Sequence, residues 1–408
     1  MERYYCAILI LNLLLGAVGA YFVVTAVWGL RRSRPLGQFQ PRYRFAVLIA
    51  ARNEEKVIGD LVRSLLAQDY PRELFDVYVI PNNCTDHTAR EAFLAGAKII
   101  EPAYPVRYKG DALRQAGDRL LAQGRYDAFC VFDADNVADP RFLAEMNNAF
   151  CSGAVVARGR NKSKNPTSSW VSACYTIYFD MFNLFFAQAR ENCGLSANII
   201  GTGFGVRTSF LQELGGFCTQ TITEDVEFFA QCAAAGERVW WVPRAITYDE
   251  EPESFRLSLT QRRRWCSGSM EVAARYAPQI GRRLAERLRW REMDVVMFFA
   301  APFAQALAVI PLGMTILLAP LPGGPALWLL LLTGGLWLVA SYLVVTALAV
   351  LVCWRCGCLR RGMAKGIVTF GLFMASWLPL QVACLFHRTT SWQEIAHGRR
   401  PVPVRKAV

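Results

Sequence analysis

The sequence predicts an α/β domain with a mostly parallel sheet, flanked by helices that cross a membrane. The chain has 408 residues, of which 53% are hydrophobic and only 19% are charged, less charge than a soluble domain usually carries. Long uncharged runs lie at the two ends, whereas segments typical of strands and helices alternate between them. The composition therefore averages a membrane region and a mixed globular region, and it excludes a disordered chain.

The first uncharged run, residues 6–28, is longer than the roughly 20 residues that cross a bilayer. A cleaved signal peptide is the alternative, but the run exceeds the apolar part of such peptides, and Arg31, Arg32, Arg34 and Pro35 follow it without a small-residue cleavage site. Short loops on the cytosolic side of spans carry excess lysine and arginine. We therefore expect a transmembrane anchor at the N-terminus and a cytosolic region after it.

Three further apolar runs lie near the C-terminus, at residues 295–319, 326–354 and 367–386. The first two are expected to cross the membrane and to be joined by the proline- and glycine-rich turn at 320–325. The third contains several polar residues and a proline, so it either crosses fully or lies partly in the interface. Basic residues at 355–365 and in the tail at 389–408 favour the cytosolic side for both segments.

The net charge of +12 is concentrated beside the apolar runs, for example in the arginine-rich stretch 282–291. Contact with anionic lipid headgroups explains such clusters, so membrane lipids are expected partners and nucleic acid is not. The 13 cysteines are scattered, and a reducing cytosol argues against structural disulfides. Cys353, Cys356 and Cys358 form a short cluster, but they lack the second pair or the histidines of a zinc site.

Between the membrane regions, strands and helices alternate as in a parallel sheet that is covered on both faces. Strands are expected at residues 45–51, 77–81, 98–100 and 128–132, and helices at residues 54–68, 88–95 and 111–123. Open sheets of this kind bind ligands at the carboxyl ends of their strands. Polar clusters at 52–54, 82–86 and 133–136 follow three of these strands, which predicts a binding site at that edge.

Two later segments, 170–190 and 255–276, have a helical pattern and many aromatic side chains. Each of them either lies in the membrane surface or packs against the sheet.

Asp133 and Asp135 come directly after an apolar strand. Positions i and i+2 face the same way, so both carboxylates can reach one hard cation. This arrangement suits Mg²⁺ or Mn²⁺ holding a diphosphate, although surface turns also produce the pattern.

Thr223, Glu224 and Asp225 precede an apolar helix. One interpretation is an N-cap, in which the threonine caps the helix and the two acids favour its positive end. A helix start also holds a carboxylate rigidly enough to act as a general base, and the two interpretations are compatible.

Gln261, Arg264 and Trp265 lie at positions i, i+3 and i+4 of a predicted helix and share one face. A guanidinium suits a diphosphate, and an indole offers a flat platform for a sugar ring. A basic helix beside the membrane with an interfacial tryptophan is the alternative.

Together, Asp133-x-Asp135, Thr223-Glu224-Asp225 and Gln261-x-x-Arg264-Trp265 resemble the signature of membrane-integrated family-2 glycosyltransferases, which include cellulose, hyaluronan, chitin and poly-N-acetylglucosamine synthases. The resemblance covers nearly the whole chain, from residues 50–55 to residues 392–398, which are similar to the family's tail motif. It implies a cytosolic GT-A domain that binds a nucleotide sugar, with amphipathic interfacial helices and transmembrane helices.

The resemblance also implies roles for individual residues. The nucleotide sugar is expected at Arg52, Asn53, Glu54, Asn83, Asp86, Lys109, Asp133, Gln261, Arg264 and Trp265. The metal is expected at Asp133 and Asp135, and the catalytic carboxylates are Asp225, the base, and Glu224. The acceptor is expected at Gly201, Thr202, Gly203, Phe204 and Trp265.

The chain departs from the family pattern after the second strand. Many members carry paired aspartates there, whereas this chain has Asn82 and Asn83, with Asp86 as the nearest carboxylate. An asparagine amide can still pair with a uracil edge. The expected nucleotide contact at this position therefore rests on Asn83 or on Asp86.

The implied reaction is an inverting transfer from a UDP-sugar to a growing polysaccharide or oligosaccharide chain. The alternatives are the transfer of a single sugar to a membrane lipid and a nucleotide-binding protein without catalysis. The expected organisation is an anchor at 1–30, a GT-A domain at 31–250, an interfacial helix region at 251–292, a C-terminal transmembrane region at 293–388 and a basic tail at 389–408.

Overall fold

The structure, a computed structural model, describes residues 2–318, 326–387 and 389. The turn expected at 320–325, the motif at 392–398 and the basic tail beyond residue 389 lie outside the described residues. The strands are β1 (Phe45–Ala51), β2 (Phe75–Pro81), β3 (Lys98–Ile99), β4 (Ala128–Asp133), β5 (Val137–Ala138), β6 (Val156–Ser163), β7 (Phe204–Arg207) and β8 (Val239–Asp249).

Helices cover this sheet, and further helices precede it and follow it in the chain. The first nine are α1 (Glu2–Val27), α2 (Ile58–Leu66), α3 (Thr88–Leu94), α4 (Lys109–Leu121), α5 (Phe142–Cys151), α6 (Trp170–Phe182), α7 (Ala189–Asn192), α8 (Thr208–Glu213) and α9 (Glu224–Ala235). The others are α10 (Phe255–Arg287), α11 (Trp290–Leu307), α12 (Val309–Leu318), α13 (Leu327–Arg355), α14 (Ala364–Ala375) and α15 (Trp377–Phe386).

The eight strands form one sheet in the order β3-β2-β1-β4-β7-β6-β8-β5. β1 to β4 run parallel to one another, and β6 and β8 run in the same direction because β7 is antiparallel to both β4 and β6. Only β7 and the short β5 run the other way. The sheet is mostly parallel, as predicted, and the carboxyl ends of six strands meet at one edge.

The sheet is covered on both faces, which explains why every residue of β1 and β2 is buried. One face packs on α2 and α5 through side chains such as Leu61 and Phe142. The other face packs on α4, α8, α9 and the later part of α10 through side chains such as Leu113 and Phe228. The core therefore fixes the edge at which the polar clusters emerge.

The two aromatic segments are helical, and both pack against other helices. The segment expected at 170–190 is α6, then a π-helical turn at Asn183–Gln188, then α7. Tyr175 of α6 is buried, with its ring 5.3 Å from that of Phe373 in α14. The later segment is α10, which continues beyond the expected end to Arg287. C-terminal helices, rather than the sheet, cover much of α6.

Within the part of the chain that the structure describes, four helices or helix pairs are long and apolar enough to cross a membrane: Arg3–Leu30, Trp290–Leu318, Trp328–Arg355 and Arg361–Phe386. Their outer faces expose large apolar side chains, such as Leu13 in α1 and Trp337 in α13. The last of the four is broken at Ser376 into α14 and α15. The buried Arg262 donates to the Phe373 carbonyl and to the Ser376 hydroxyl, which satisfies polar groups at this break.

Candidate active site

A cavity of 1240 Å³ opens at the carboxyl edge of the sheet. The predicted site residues that line it are Arg52, Glu54, Lys109, Asp133, Asp135, Gly201, Thr202, Glu224, Asp225, Gln261, Arg264 and Trp265. The predicted residues outside its lining are Asn53, Asn83, Asp86, Gly203 and Phe204. The three motifs, which lie far apart in the sequence, thus share one space, and its volume exceeds that of most small-molecule pockets.

Lys109 connects two of the motifs. It is the first residue of α4, and its Nζ lies 2.5 Å from Asp133 Oδ1 and 3.0 Å from Glu224 Oε1. The same ammonium donates to the Gly201 carbonyl at 2.6 Å. Burial lowers the pKa of Lys109, but attraction to Asp133 and Glu224 outweighs burial, so the pKa is raised. Lys109 therefore stays charged and connects the Asp133-x-Asp135 pair to the Thr223-Glu224-Asp225 segment.

Asp225 lies in the first turn of α9 beside Glu224. Burial, followed by repulsion from Glu224, raises the pKa of Asp225 from 3.8 to about 7. Thr223 occupies the N-cap position, but its hydroxyl makes no capping bond, so the side-chain cap considered from the sequence is wrong. The turn before α9 is held instead by Glu227, whose carboxylate accepts from the amides of Gln220 and Thr221 at 2.7 Å each.

A second group of acids lies beside Asp133 and Asp135 and was missed in the sequence. Asp249 ends β8, accepts from the Asn136 amide at 2.9 Å and lines the cavity. Burial, followed by repulsion from Asp135 and Asp133, raises the pKa of Asp249 to about 8. Glu251 also lines the cavity, and burial and then Asp249 raise its pKa well above the usual value. The available signal was a run of acids directly after a strand.

The loops after β1 and β2 are tied to each other. Asp86 accepts from the Glu55 amide at 3.0 Å and from the Thr88 hydroxyl at 2.5 Å. Burial raises the pKa of Asp86, but these hydrogen bonds outweigh burial and lower it. Asn53 accepts from the Thr85 amide at 2.8 Å, and Asn83 donates to the Val106 carbonyl at 2.7 Å. These three predicted residues shape the loops, while Arg52, Glu54 and Asn82 border the cavity.

The glycine-rich segment before β7 divides in the same way. Gly201 and Thr202 line the cavity, and the Thr202 hydroxyl accepts from the Asp133 amide at 3.2 Å. Gly203 has φ +63°, and a Cβ there would lie 2.7 Å from the Thr247 side chain, so this position requires glycine. Phe204 is buried in β7. Gly203 and Phe204 therefore anchor the segment to the sheet.

The face predicted for α10 is present. Gln261, Arg264 and Trp265 all line the cavity, and the Gln261 Oε1 atom is buried without a hydrogen-bond partner among the described residues. Trp265 packs edge-on against Tyr175 and Phe179, with ring centroids 6.1 Å away in both cases. The indole is thus held in place by aromatic side chains of α6.

The cavity continues from these motifs into an apolar arm between helices. The residues that line the arm come from α1, α6, the π turn, α11 and its C-cap, α14 and α15: Phe22, Tyr178, Phe179, Met181, Phe182, Phe186, Phe298, Phe299, Ala301, Pro302, Gln305, Ala308, Met374, Trp377, Leu378 and Gln381. Three of the four candidate spans contribute to this wall. The sequence alone did not predict it.

The residues at the polar end fit a divalent cation. Asp133 and Asp135 offer hard carboxylate oxygens, and the repulsion that they exert on Asp249 is what a cation would relieve. Among the described residues, no cluster of three or more acidic, histidine or cysteine side chains is arranged to hold a metal. Mg²⁺ usually binds through one or two carboxylates together with substrate phosphates, and the two aspartates offer such a carboxylate pair.

Comparison with known families decides the identity of this domain. The model of the family described as "Glycosyltransferase like family 2" matches residues 41–268. The chain belongs to this family. The matched region contains the whole sheet, α9 and the part of α10 that carries the Gln-x-x-Arg-Trp motif.

Curated relatives are similar at low identity. The "Probable glycosyltransferase YdaM" of Bacillus subtilis is 27% identical over 65% of this chain and 64% of its own length. The "Beta-monoglucosyldiacylglycerol synthase" of Synechocystis is 26% identical over 66% of this chain and 57% of its own. The "Poly-beta-1,6-N-acetyl-D-glucosamine synthase" of Staphylococcus aureus is 26% identical over 56% and 55%. The chain spans less than two thirds of the length of these relatives.

A solved structure shares the fold. It is the mannosyltransferase PcManGT of Pyrobaculum calidifontis in complex with GDP-Man and Mn²⁺, with a TM-score of 0.62 and 18% identity, and the match covers 94% of this chain and 99% of that one. The GT-A class expected for the domain between the apolar helices is confirmed by this likeness and by the family.

Proposed function

We propose that the protein is an inverting glycosyltransferase that moves a sugar from a UDP-sugar to an acceptor hydroxyl at the membrane. One observation carries the proposal: a single cavity brings Asp225 together with the Asp-x-Asp pair, Lys109 and the face of α10 that carries Arg264. A base, a metal site and cations for a diphosphate are the groups that an inverting displacement at a nucleotide sugar needs.

Asp225 is the general base in this proposal. A general base works best when its pKa lies near the operating pH, and the pKa of Asp225 is raised to about 7. The carboxylate takes the proton of the acceptor hydroxyl as the oxygen attacks the anomeric carbon of the donor. The bond from that carbon to the diphosphate breaks in the same step, so the configuration inverts and no covalent enzyme intermediate forms.

The departing nucleoside diphosphate is bound by this chain's cations. Lys109 and Arg264 line the cavity and supply positive charge for the phosphate oxygens, and Arg264 can bind them through two N–H groups. Asp133 and Asp135 would hold Mg²⁺ or Mn²⁺, which neutralises charge on the leaving group when bound. Arg52, Glu54 and Asn82 border the space for the nucleoside.

We also propose that the protein is a multi-pass membrane protein with its catalytic domain and tail in the cytosol. This orientation requires that the broken pair α14 and α15 lies partly in the interface and does not cross the membrane fully. The arginines after α1 and the basic residues at 355–365 support this orientation by the positive-inside rule. The domain limits at 31–250, 251–292 and 293–388 are part of the same proposal.

The Asp225→Asn variant tests the function. It keeps the side-chain volume but removes the basic carboxylate, so we expect kcat for transfer from radiolabelled UDP-sugars to fall by about 10²- to 10⁴-fold, with nucleotide binding retained. Asp60→Asn, at an exposed ion pair on α2, is the matched control. Wild-type turnover in Asp225→Asn would remove the assigned base, and nucleotide binding without transfer by the wild type would favour a non-catalytic protein.

The acceptor is either a saccharide chain that grows or a lipid that receives one sugar. Product mass separates the two, because a polymerase gives a ladder and a glycolipid synthase gives one species. The apolar arm of the cavity favours the lipid.

A further inference from the structure

The apolar arm connects the proposed reaction centre to the membrane. Phe22 belongs to the candidate span Arg3–Leu30, Pro302 to Trp290–Leu318 and Leu378 to Arg361–Phe386. All three line the cavity that also contains Asp225. A molecule that lies between these helices can therefore reach Asp225 through the cavity.

The wall of this arm offers few polar partners. Apart from Tyr178 and Trp377, its polar side chains are Gln305 and Gln381, which face each other from α11 and α15, and the Gln381 amide donates to Gln305 Oε1. A sugar chain carries hydroxyl groups along its whole length, and each hydroxyl that leaves water needs a partner. The arm therefore suits acyl chains better than a growing polysaccharide.

The cations of the cavity lie at its polar end. Those that line it are Arg52, Arg107, Lys109 and Arg264, and none of the described lining residues from α1, α6, α11, α14 or α15 is charged. Lys109 and Arg264 are both assigned to the donor diphosphate, and Lys109 is also paired with Asp133 and Glu224. An acceptor phosphate beside Glu224 and Asp225 would meet carboxylates. The charges therefore favour a neutral acceptor with a hydroxyl group that can lose a proton.

The glutamine pair gives the arm a polar contact point at membrane depth. Gln381 is buried, and Gln305 lies near the middle of Trp290–Leu318. Polar side chains in spans are costly and mark functional sites. Their mutual hydrogen bond uses one amide N–H group, which leaves donors and acceptors for a ligand. The buried Trp377 Nε1 atom has no partner among the described residues and adds a donor in the same arm.

We propose that the acceptor is a neutral lipid with a free hydroxyl group and acyl linkages, and that Gln305 and Gln381 bind its ester or amide groups while its chains lie between the helices. This inference rests on the proposed glycosyltransferase function. The hydroxyl then points from the glutamine pair toward Asp225, and one sugar is added to each lipid.

The acceptor class can be tested with the purified full chain in phosphatidylcholine nanodiscs, supplied with Mn²⁺ and a panel of UDP-sugars. Diacylglycerol, ceramide, a polyprenyl phosphate and a soluble oligosaccharide are offered separately, and the products are analysed by mass. A single glycosylated species from diacylglycerol or ceramide is expected, and the preferred one distinguishes ester from amide recognition. A product only from polyprenyl phosphate, or a polymer ladder, would overturn the inference but keep the proposed function. Absence of UDP-sugar binding and turnover would overturn both.

Substitutions in the arm test the assigned residues. Gln381→Leu and Gln305→Leu keep the size but remove the amide, and we expect the ratio of KM for the lipid to KM for the donor to rise about tenfold. Gln38→Leu, at an exposed position, is the control.

A second pair of variants tests the space in the arm. Ala301→Phe fills the arm and should abolish lipid transfer, whereas residue 300 on the same helix lies outside the lining, so Ala300→Phe should have the smaller effect. Unchanged ratios, or equal effects of the two phenylalanines, would refute the assignment.

Discussion

The raised pKa of Asp225 makes a prediction about pH. The pKa rises from 3.8 to about 7 because the carboxyl is buried and because Glu224 repels its charge. A base acts only when deprotonated, so kcat/KM for the acceptor should rise with pH through about 7 and level off above it. Glu224→Gln removes the repulsion from Glu224 and should move the midpoint of the pH profile to lower pH. A profile that is flat from about pH 5.5 to 8.5 in the wild type would contradict the role of Asp225.

Lys109 is the residue whose loss should affect both binding and stability. Its Nζ contacts Asp133 and Glu224, and its side chain is only 19% exposed. Lys109→Met leaves Asp133 and Glu224 without their cation. Because the Asp133 side chain is 41% exposed, the loss should stay below the roughly 3–5 kcal/mol of a fully buried pair. We expect a lower Tm and at least about a tenfold rise in Kd for the UDP-sugar, measured by calorimetry.

A surface lysine provides the control for this substitution. Lys98 forms an ion pair with Asp76 but is 48% exposed, so Lys98→Met should change stability by less than about 1 kcal/mol and leave donor affinity unchanged. Equal donor affinity in Lys109→Met and Lys98→Met would show that Lys109 does not contact the diphosphate.

At the residue scale, local patterns predicted much of the candidate site. Asp133, Asp225 and Arg264 carry their chemistry in short motifs, and all three line the cavity. The bridging position of Lys109 and the place of Asp249 beside Asp133 and Asp135 could not be predicted, because each depends on which strands are neighbours in the sheet. The run of acids at 249–251 indicates only that carboxylates follow a strand. Asp249 reaches the site only because β8 pairs with β6, next to the last strand of the sheet.

At the element scale, a glycine sets the distance between α10 and the start of α9. A Cβ at Gly268 would lie 2.4 Å from the Oγ1 and Cγ2 atoms of Thr223, which directly precedes Glu224 and Asp225. Glycine in a helix interior is less stable than alanine by roughly 0.5–1 kcal/mol. This close contact is the physical reason for a glycine at residue 268.

Two alanine substitutions in α10 test this contact. Gly281 has nothing within 4 Å of a Cβ, so Gly281→Ala should raise the free energy of unfolding by about 0.5–1 kcal/mol. Gly268→Ala should lower it by about 1–3 kcal/mol and reduce kcat, because the added methyl group displaces Thr223 and with it Asp225. Thermal unfolding and transfer assays on the two variants check this, and equal stabilisation of both would show that the contact is not tight.

The elements that were predicted are those with strong local patterns. The structure places β1, β2, β4, α3 and α4 within a few residues of their expected positions. These elements were predictable because the spacing of apolar residues in a strand or an amphipathic helix is a local property of the sequence. β6 has no such pattern, since it buries Arg158 and Asn161. Arg158 is satisfied by Asn183 and Asn198, which come from later parts of the chain. Long-range pairing of this kind leaves no local signal.

At the scale of the whole molecule, a buried ion pair links the N-terminal anchor to the C-terminal helices. Arg190 of α7 donates to both carboxylate oxygens of Asp294 in α11, at 3.0 and 3.1 Å. Tyr21 of α1 donates to the same carboxylate at 2.6 Å. The Arg190 guanidinium also lies 3.5 Å from the ring centroid of Phe186, which lines the apolar arm. The packing of the anchor and the shape of the arm therefore depend on one group of side chains.

Breaking this group should destabilise the molecule, while replacing it should not. The side chains of Arg190 and Asp294 are 1% and 3% exposed, so Asp294→Leu leaves a buried cation and should lower the free energy of unfolding by about 3–5 kcal/mol. The double variant Arg190→Met with Asp294→Leu removes both charges and should recover most of that loss, because apolar replacement of a buried pair is often neutral. Tyr21→Phe removes one hydrogen bond and should lower the free energy of unfolding by only about 1–3 kcal/mol. Thermal unfolding in detergent measures the stability of each variant. If the double variant is no more stable than Asp294→Leu, the pair does not link these helices through its charges.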